Sequence, residues 1–146
     1  MTITFAVLIF AFLFLFKGVQ KNTFFLFYAV AMVLAAYYCE SQLGWRIRPF
    51  GKTAFLLFVL FHLPLINLFT FLAYGKDKKC AQRGEWRIPE IQLHTLELLG
   101  GTIGAIAGQK IFHHKNKKKT YMATFFATIF IQAGIIGFIL HYLKLI

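Results

Sequence analysis

The chain has 146 residues, 59% of them hydrophobic and 14% charged, with 19 Phe. Composition this apolar excludes a water-soluble globular domain of this size, and once membrane helices are accounted for the length leaves no room for a second, soluble domain. The net charge of +11 comes from 16 Lys and Arg against five Asp and Glu, most of them between the apolar runs; it points to topology control, anionic lipid heads or a phosphate-bearing ligand, and identifies no partner by itself.

Residues 2–16 (TITFAVLIFAFLFLF) form the first apolar run. It is short for a span, but Lys17 and Lys21 can snorkel to complete it. A cleaved signal peptide fits poorly, because the start lacks a basic segment and no small-residue cleavage pattern follows. Residues 23–39 make a second run, ending in Tyr37 and Tyr38, which suit a membrane interface. A polar loop, Glu40 to Lys52, separates it from a third run of full spanning length at 53–74, which Pro64 should kink by removing a backbone donor. Residues 1–52 thus read as two N-terminal transmembrane helices and a loop, and 53–146 as a core membrane domain with basic cytoplasmic loops. Cys39 and Cys80 fall on opposite faces of the membrane in this topology, against a disulfide or thiolate metal site.

Gly75 to Pro89 (GKDKKCAQRGEWRIP) is the densest polar stretch and reads as a loop, with Pro89 placed to start a helix, where its missing N–H costs nothing. From Glu90 to Phe112 the first turns are polar and the rest is apolar and glycine-rich; the basic loop 113–119 then leads to a last span at 121–143. If all five segments cross, Lys and Arg divide equally between the two sides. If 90–112 does not cross, twelve share one side with four on the other. The positive-inside rule favours the second arrangement: an all-α integral membrane protein of four transmembrane helices plus one short re-entrant or interfacial glycine-rich helix, five spans being the alternative. The N-terminus then lies outside the cytoplasm and both basic loops within it. The expected location is the bacterial inner membrane, crossed several times.

At about 100° per residue, Glu90, His94, Glu97, Gly101, Gly104 and Gly108 fall on one stripe of a 90–112 helix. Gly101, Gly104 and Gly108 read as a packing stripe. Its partner is the third span, through Asn67, Thr70 and Tyr74, or the last, through Thr124, Thr128 and Gln132; a homo-oligomer through the stripe is a further reading. Carboxylates and an imidazole at a membrane border need pairing, hydration or a ligand. Glu90, His94 and Glu97 have spacing suited to a divalent metal ion, with Asp77, His113 or His114 completing the shell. Glu90, His94 and Asp77 are equally candidates for acid–base catalysis, and salt bridges to Arg83, Arg87 or the 115–119 lysines are the plain structural reading. Lys78, Arg87, His114, Lys115 and Lys118 are the candidate phosphate ligands, converging if the glycine helix is re-entrant. His62 reads as a hydrogen-bonded histidine between helices. Trp86 stands alone among the lysines, so nucleic acid is not expected. No common enzyme signature is present, and the sequence leaves open whether the chain is an enzyme.

The string from Asn67 through Tyr74-x-x-Asp77-Lys78, Arg87-Ile88-x-Glu90, Gly100-Gly101 and His114-Lys115 to Lys118 resembles the bacterial membrane-protein family known as domain of unknown function 1294. Ala81, Leu93, Gly104 and Ala105 also match, and the resemblance covers roughly residues 55–135. Two positions depart from it: Asn116 stands where the family has Thr, and Tyr121 where it has Phe. Some relatives carry a cold-shock-like domain ahead of the membrane part, where this chain has two apolar spans instead. The resemblance implies fold and location and supplies no reaction. Three functions remain open: binding or processing a phosphate-bearing amphiphile (an anionic lipid or polyprenyl phosphate) at the cytoplasmic face, binding or transporting a divalent metal, and serving as an assembly factor through the glycine stripe. Anionic membrane lipids are the expected partners.

Overall fold

A computed structural model describes residues 1–15, 23–113 and 119–142. All regular elements among them are helical: α1 (Thr2–Leu15), α2 (Thr23–Ser41), α3 (Lys52–Arg83), α4 (Glu90–Leu96), α5 (Thr102–Ile111) and α6 (Lys119–Tyr142), with a kinked connection (Glu97–Gly101) between α4 and α5. Among the described residues three helices are long and apolar enough to cross a membrane: Thr23–Ser41, Lys52–Arg83, and Lys119–Phe138 within α6. α1 is apolar but only 14 residues long, about 21 Å at helical rise.

The first three helices alternate in direction. The Met1 amino group donates to the Glu40 carboxylate at 2.8 Å, and the Thr2 N–H donates to the same group at 3.1 Å, so α1 begins where α2 ends. Phe5 meets Phe58 edge-on, with ring centroids 5.2 Å apart, and joins α1 to α3. His62 lies between helices, as its isolated position in an apolar run implied. Its Nε2 donates to the Leu99 carbonyl at 2.6 Å, and its Nδ1 accepts from the Tyr28 hydroxyl at 2.5 Å. Since a carbonyl only accepts, the Leu99 contact places a hydrogen on Nε2, and in the neutral ring Nδ1 is then the acceptor for Tyr28.

α3 differs from the sequence reading. It is one helix of 32 residues that runs through Pro64 and continues past Tyr74 to Arg83, so the first half of the supposed loop is helix. Residues 76–83 (KDKKCAQR) are mostly good helix formers. The helix ends at Gly84, whose φ of 67° closes it with a bond from the Gly84 N–H to the Cys80 carbonyl. At about 48 Å, α3 is longer than the roughly 30 Å of bilayer hydrocarbon.

The segment 90–112 is not one straight helix, which corrects the single-stripe reading. Its neighbours along α3 show the path: the Ile88 N–H meets Asp77, the Leu99 carbonyl meets His62, and then Gly104 meets Asn67, Gly108 meets Tyr74 and Phe112 meets Gly75. α4 therefore runs antiparallel to α3 and α5 parallel to it. The reversal is at Gly100, where φ is 109°, a conformation that L side chains rarely adopt. Asn67 completes the turn: its amide donates to the Gly100 carbonyl at 2.9 Å and its side-chain oxygen accepts from the Gly104 N–H at 2.8 Å.

The glycine stripe faces α3. A Cβ on Gly101 would fall on the Thr70 hydroxyl, one on Gly104 on the Asn67 backbone, and one on Gly108 on the Tyr74 side chain. Of the two expected partner helices, these contacts are with the third span, through Asn67, Thr70 and Tyr74. This face of the stripe is covered by α3 within the chain.

Candidate functional site

Two polar features lie where the hairpin meets α3. The inner one is built around Glu97, which is fully buried. Its Oε1 accepts from the hydroxyls of Tyr74 on α3 and Tyr121 on α6, the latter at 2.9 Å, and the two hydroxyls are within hydrogen-bond distance of each other. Oε2 is 2.7 Å from Nδ1 of His94, whose ring stacks on Tyr121 with centroids 4.2 Å apart. Gln109 of α5 donates to the Tyr74 hydroxyl at 3.3 Å. The Glu97 backbone carbonyl accepts from the Gln132 side chain of α6, and Gln132 in turn accepts from Thr102 at 2.6 Å. This one residue thus joins α3, α4, α5 and α6. Among the described residues no Lys or Arg lies within ion-pair reach of it.

The outer feature is held by Asp77, also fully buried. Its Oδ1 accepts from the Ile88 N–H at 3.0 Å and its Oδ2 from Nη2 of Arg87 at 3.3 Å. This pairing folds the 84–89 turn back onto α3 and directs Arg87 to a groove of about 390 Å³. Lys76, Arg87, Trp86, Phe24, Ile88 and Pro89 line it, with Thr23 and Gln92. The Lys76 ammonium stands over the Phe24 ring, 5.5 Å from its centroid. Glu90 borders an adjoining cavity that shares Trp86, Arg87, Ile88 and Pro89.

The candidate residues are distributed as follows. Glu97 and His94 come together, and Asp77 pairs with Arg87. Glu90 stands at the groove's neighbour, and Lys78, half-buried on α3, is not among the groove's lining residues. No group of three His, Cys, Asp or Glu side chains among the described residues is placed to hold a metal ion, so Glu90, His94 and Glu97 are not gathered into one. Instead, Glu97 spends its oxygens on two phenols and an imidazole. His114, Lys115 and Lys118 lie outside the described residues. Sequence reasoning did not give Tyr74, Tyr121, Gln109 or Lys76 their places in these two features. Their signal was a polar group on an otherwise apolar helix face, which does not say where on another helix its partner lies.

A family model described as Protein of unknown function (DUF1294) matches residues 67–121, the stretch from the hairpin-capping Asn67 to the Glu97-bound Tyr121. The chain is 38% identical over 60 residues to "Uncharacterized protein YsdA" of Bacillus subtilis (strain 168), a match covering 41% of this chain and 67% of that protein. No solved structure matches it significantly. On the family model and the relative together, the chain belongs to the DUF1294 family of proteins of unknown function.

Proposed function

We propose that this protein binds a phosphate-bearing amphiphile, an anionic lipid or polyprenyl phosphate, at the cytoplasmic face of the bacterial inner membrane. The observation that carries the proposal is the groove in which Lys76 and Arg87 flank an otherwise largely apolar wall of Phe24, Trp86, Ile88 and Pro89. Two cations supply charge-assisted bonds to phosphate oxygens, and the aromatic and aliphatic surface accepts the first carbons of the tail. Asp77 is the positioning residue, since it orients Arg87.

In the same proposal α1, α2, α3 and α6 cross the membrane, and residues 88–112 enter and leave on the cytoplasmic side. Support comes from the order of contacts along α3, and from the groove itself, which joins the start of α2 to the end of α3. The twelve-to-four division of Lys and Arg agrees with it.

Lys76→Ala is expected to lower the anionic lipid retained by purified protein about 3- to 10-fold, read by native mass spectrometry against phosphatidylcholine. Competition by inorganic phosphate distinguishes free phosphate from an amphiphile. Equal retention by the variant sinks the groove as the binding site. For topology, Glu85→Cys and Lys110→Cys, made separately in a background with Cys39 and Cys80 replaced, are expected to label from the same side of oriented vesicles. Labelling from opposite sides removes the hairpin.

A further inference from the structure

We propose that the loop between α2 and α3 holds a second lipid site, in which Arg46 and Arg48 bind the phosphodiester of an anionic phospholipid on the membrane face opposite the Lys76–Arg87 groove. Arg46 and Arg48 line one cavity of about 320 Å³ together with Ile47, Gly51 and Thr53. Two of the chain's four arginines thus stand at one opening, separated by a single residue. Ile47 between them packs against the core, and both arginines are exposed.

The opening keeps its positive charge. Glu40 is the one carboxylate from residue 40 to residue 52, and it is taken by the Met1 amino group and Thr2. Among the described residues no carboxylate pairs with Arg46, Arg48 or Lys52. Two guanidiniums offer forked donors that match the free oxygens of a phosphodiester. The surroundings suit a lipid better than a free anion. Trp45 precedes the two arginines and Phe50 follows them, 40% and 64% exposed, and Phe50 is anchored by its N–H donating to Thr4 Oγ1 at 3.1 Å. Exposed aromatic rings beside cations belong at the boundary between headgroups and acyl chains.

This site is separate from the groove. Lys52 starts α3 and Lys76 lies 24 residues further along it, about 36 Å at helical rise, which exceeds the roughly 30 Å of bilayer hydrocarbon. The inference therefore rests on α3 crossing the membrane and not on lipid binding in the groove. In the topology proposed above the loop faces away from the cytoplasm, and Arg46, Arg48 and Lys52 are three of the four cations on that side. The positive-inside bias works against cations there, and a phosphate to hold accounts for them.

Native mass spectrometry of the purified full chain with phosphatidylglycerol, measured against phosphatidylcholine, tests this in the wild type and in a Lys76→Ala background. Arg46→Gln and Arg48→Gln are each expected to lower phosphatidylglycerol retention about 5-fold in the Lys76→Ala background, where the groove contributes little, and the double variant about 25-fold. Arg48→Lys keeps the charge without the fork and is expected to fall between Arg48→Gln and arginine. A loss in the arginine variants with none in Lys76→Ala supports this site and sinks the groove. The reverse result sinks this site alone. Arg48→Lys equal to arginine shows only a general attraction to an anionic surface and overturns the bound phosphodiester. Displacement of the lipid by inorganic phosphate assigns a free anion to the cavity and overturns it as well.

Discussion

Gly104→Ala is expected to lower the apparent thermal midpoint of the purified protein by about 10 °C, corresponding to about 3–5 kcal/mol for a chain of this size. A Cβ at position 104 would lie 2.0 Å from the Asn67 carbonyl oxygen and 2.8 Å from its carbonyl carbon. Both are backbone atoms of α3, so no side chain can swing aside. Relief requires α5 to move off α3, which also pulls the Gly104 N–H from the Asn67 side chain and frees the Gly100 carbonyl. The matched control is Gly134→Ala, since a Cβ there meets nothing within 4 Å; it is expected to be neutral or to raise the midpoint slightly through helix propensity. Equal midpoints for the two variants would show that α5 does not pack on α3 as described.

Asp77→Ala is expected to cost about 3 kcal/mol and to lower anionic-lipid retention together with stability. The carboxylate is wholly buried and serves the Ile88 N–H and the Arg87 guanidinium at once. Alanine leaves that N–H without its acceptor and releases Arg87 from the groove wall. Asp77→Asn keeps an oxygen for Ile88 and loses the ion pair with Arg87, so it should fall between wild type and alanine in midpoint, at about 1 kcal/mol. Thermal unfolding and lipid retention measured on the same preparations separate the two roles. If alanine leaves both unchanged, Asp77 neither anchors the turn nor positions Arg87.

Much of the fold was legible in the residues because it follows from one-dimensional periodicity. Long apolar runs specify membrane-length helices whatever surrounds them, and Pro89 marks the start of α4 because a proline is accommodated where the helix has no donor to lose. The Gly101–Gly104–Gly108 spacing named a close-packing face, and the Asn67–Thr70–Tyr74 face opposite it is the one it meets. The extension of α3 to Arg83 was missed for a local reason: Gly75 and the charges beyond it read as a helix end. Gly75 instead makes room for the Phe112 ring, which would lie 2.9 Å from a Cβ there.

The sequence by itself determined an all-helical chain with membrane-length apolar helices, a glycine face built for close contact and a cluster of cations flanking it. Only the tertiary structure decided that the chain turns back at Gly100, that Glu97 meets Tyr74 and Tyr121, and that Lys76 and Arg87 share a groove with Phe24. A Gly-Gly pair in an apolar run satisfies close packing and chain reversal equally well, and the choice rests on Asn67, 33 residues away from Gly100. Helical periodicity orders residues around one axis; it carries no information on which residue of another helix arrives at the same depth. Tyr74 and Tyr121, 47 positions apart, come together only when three helices have packed around a buried carboxyl that needs them.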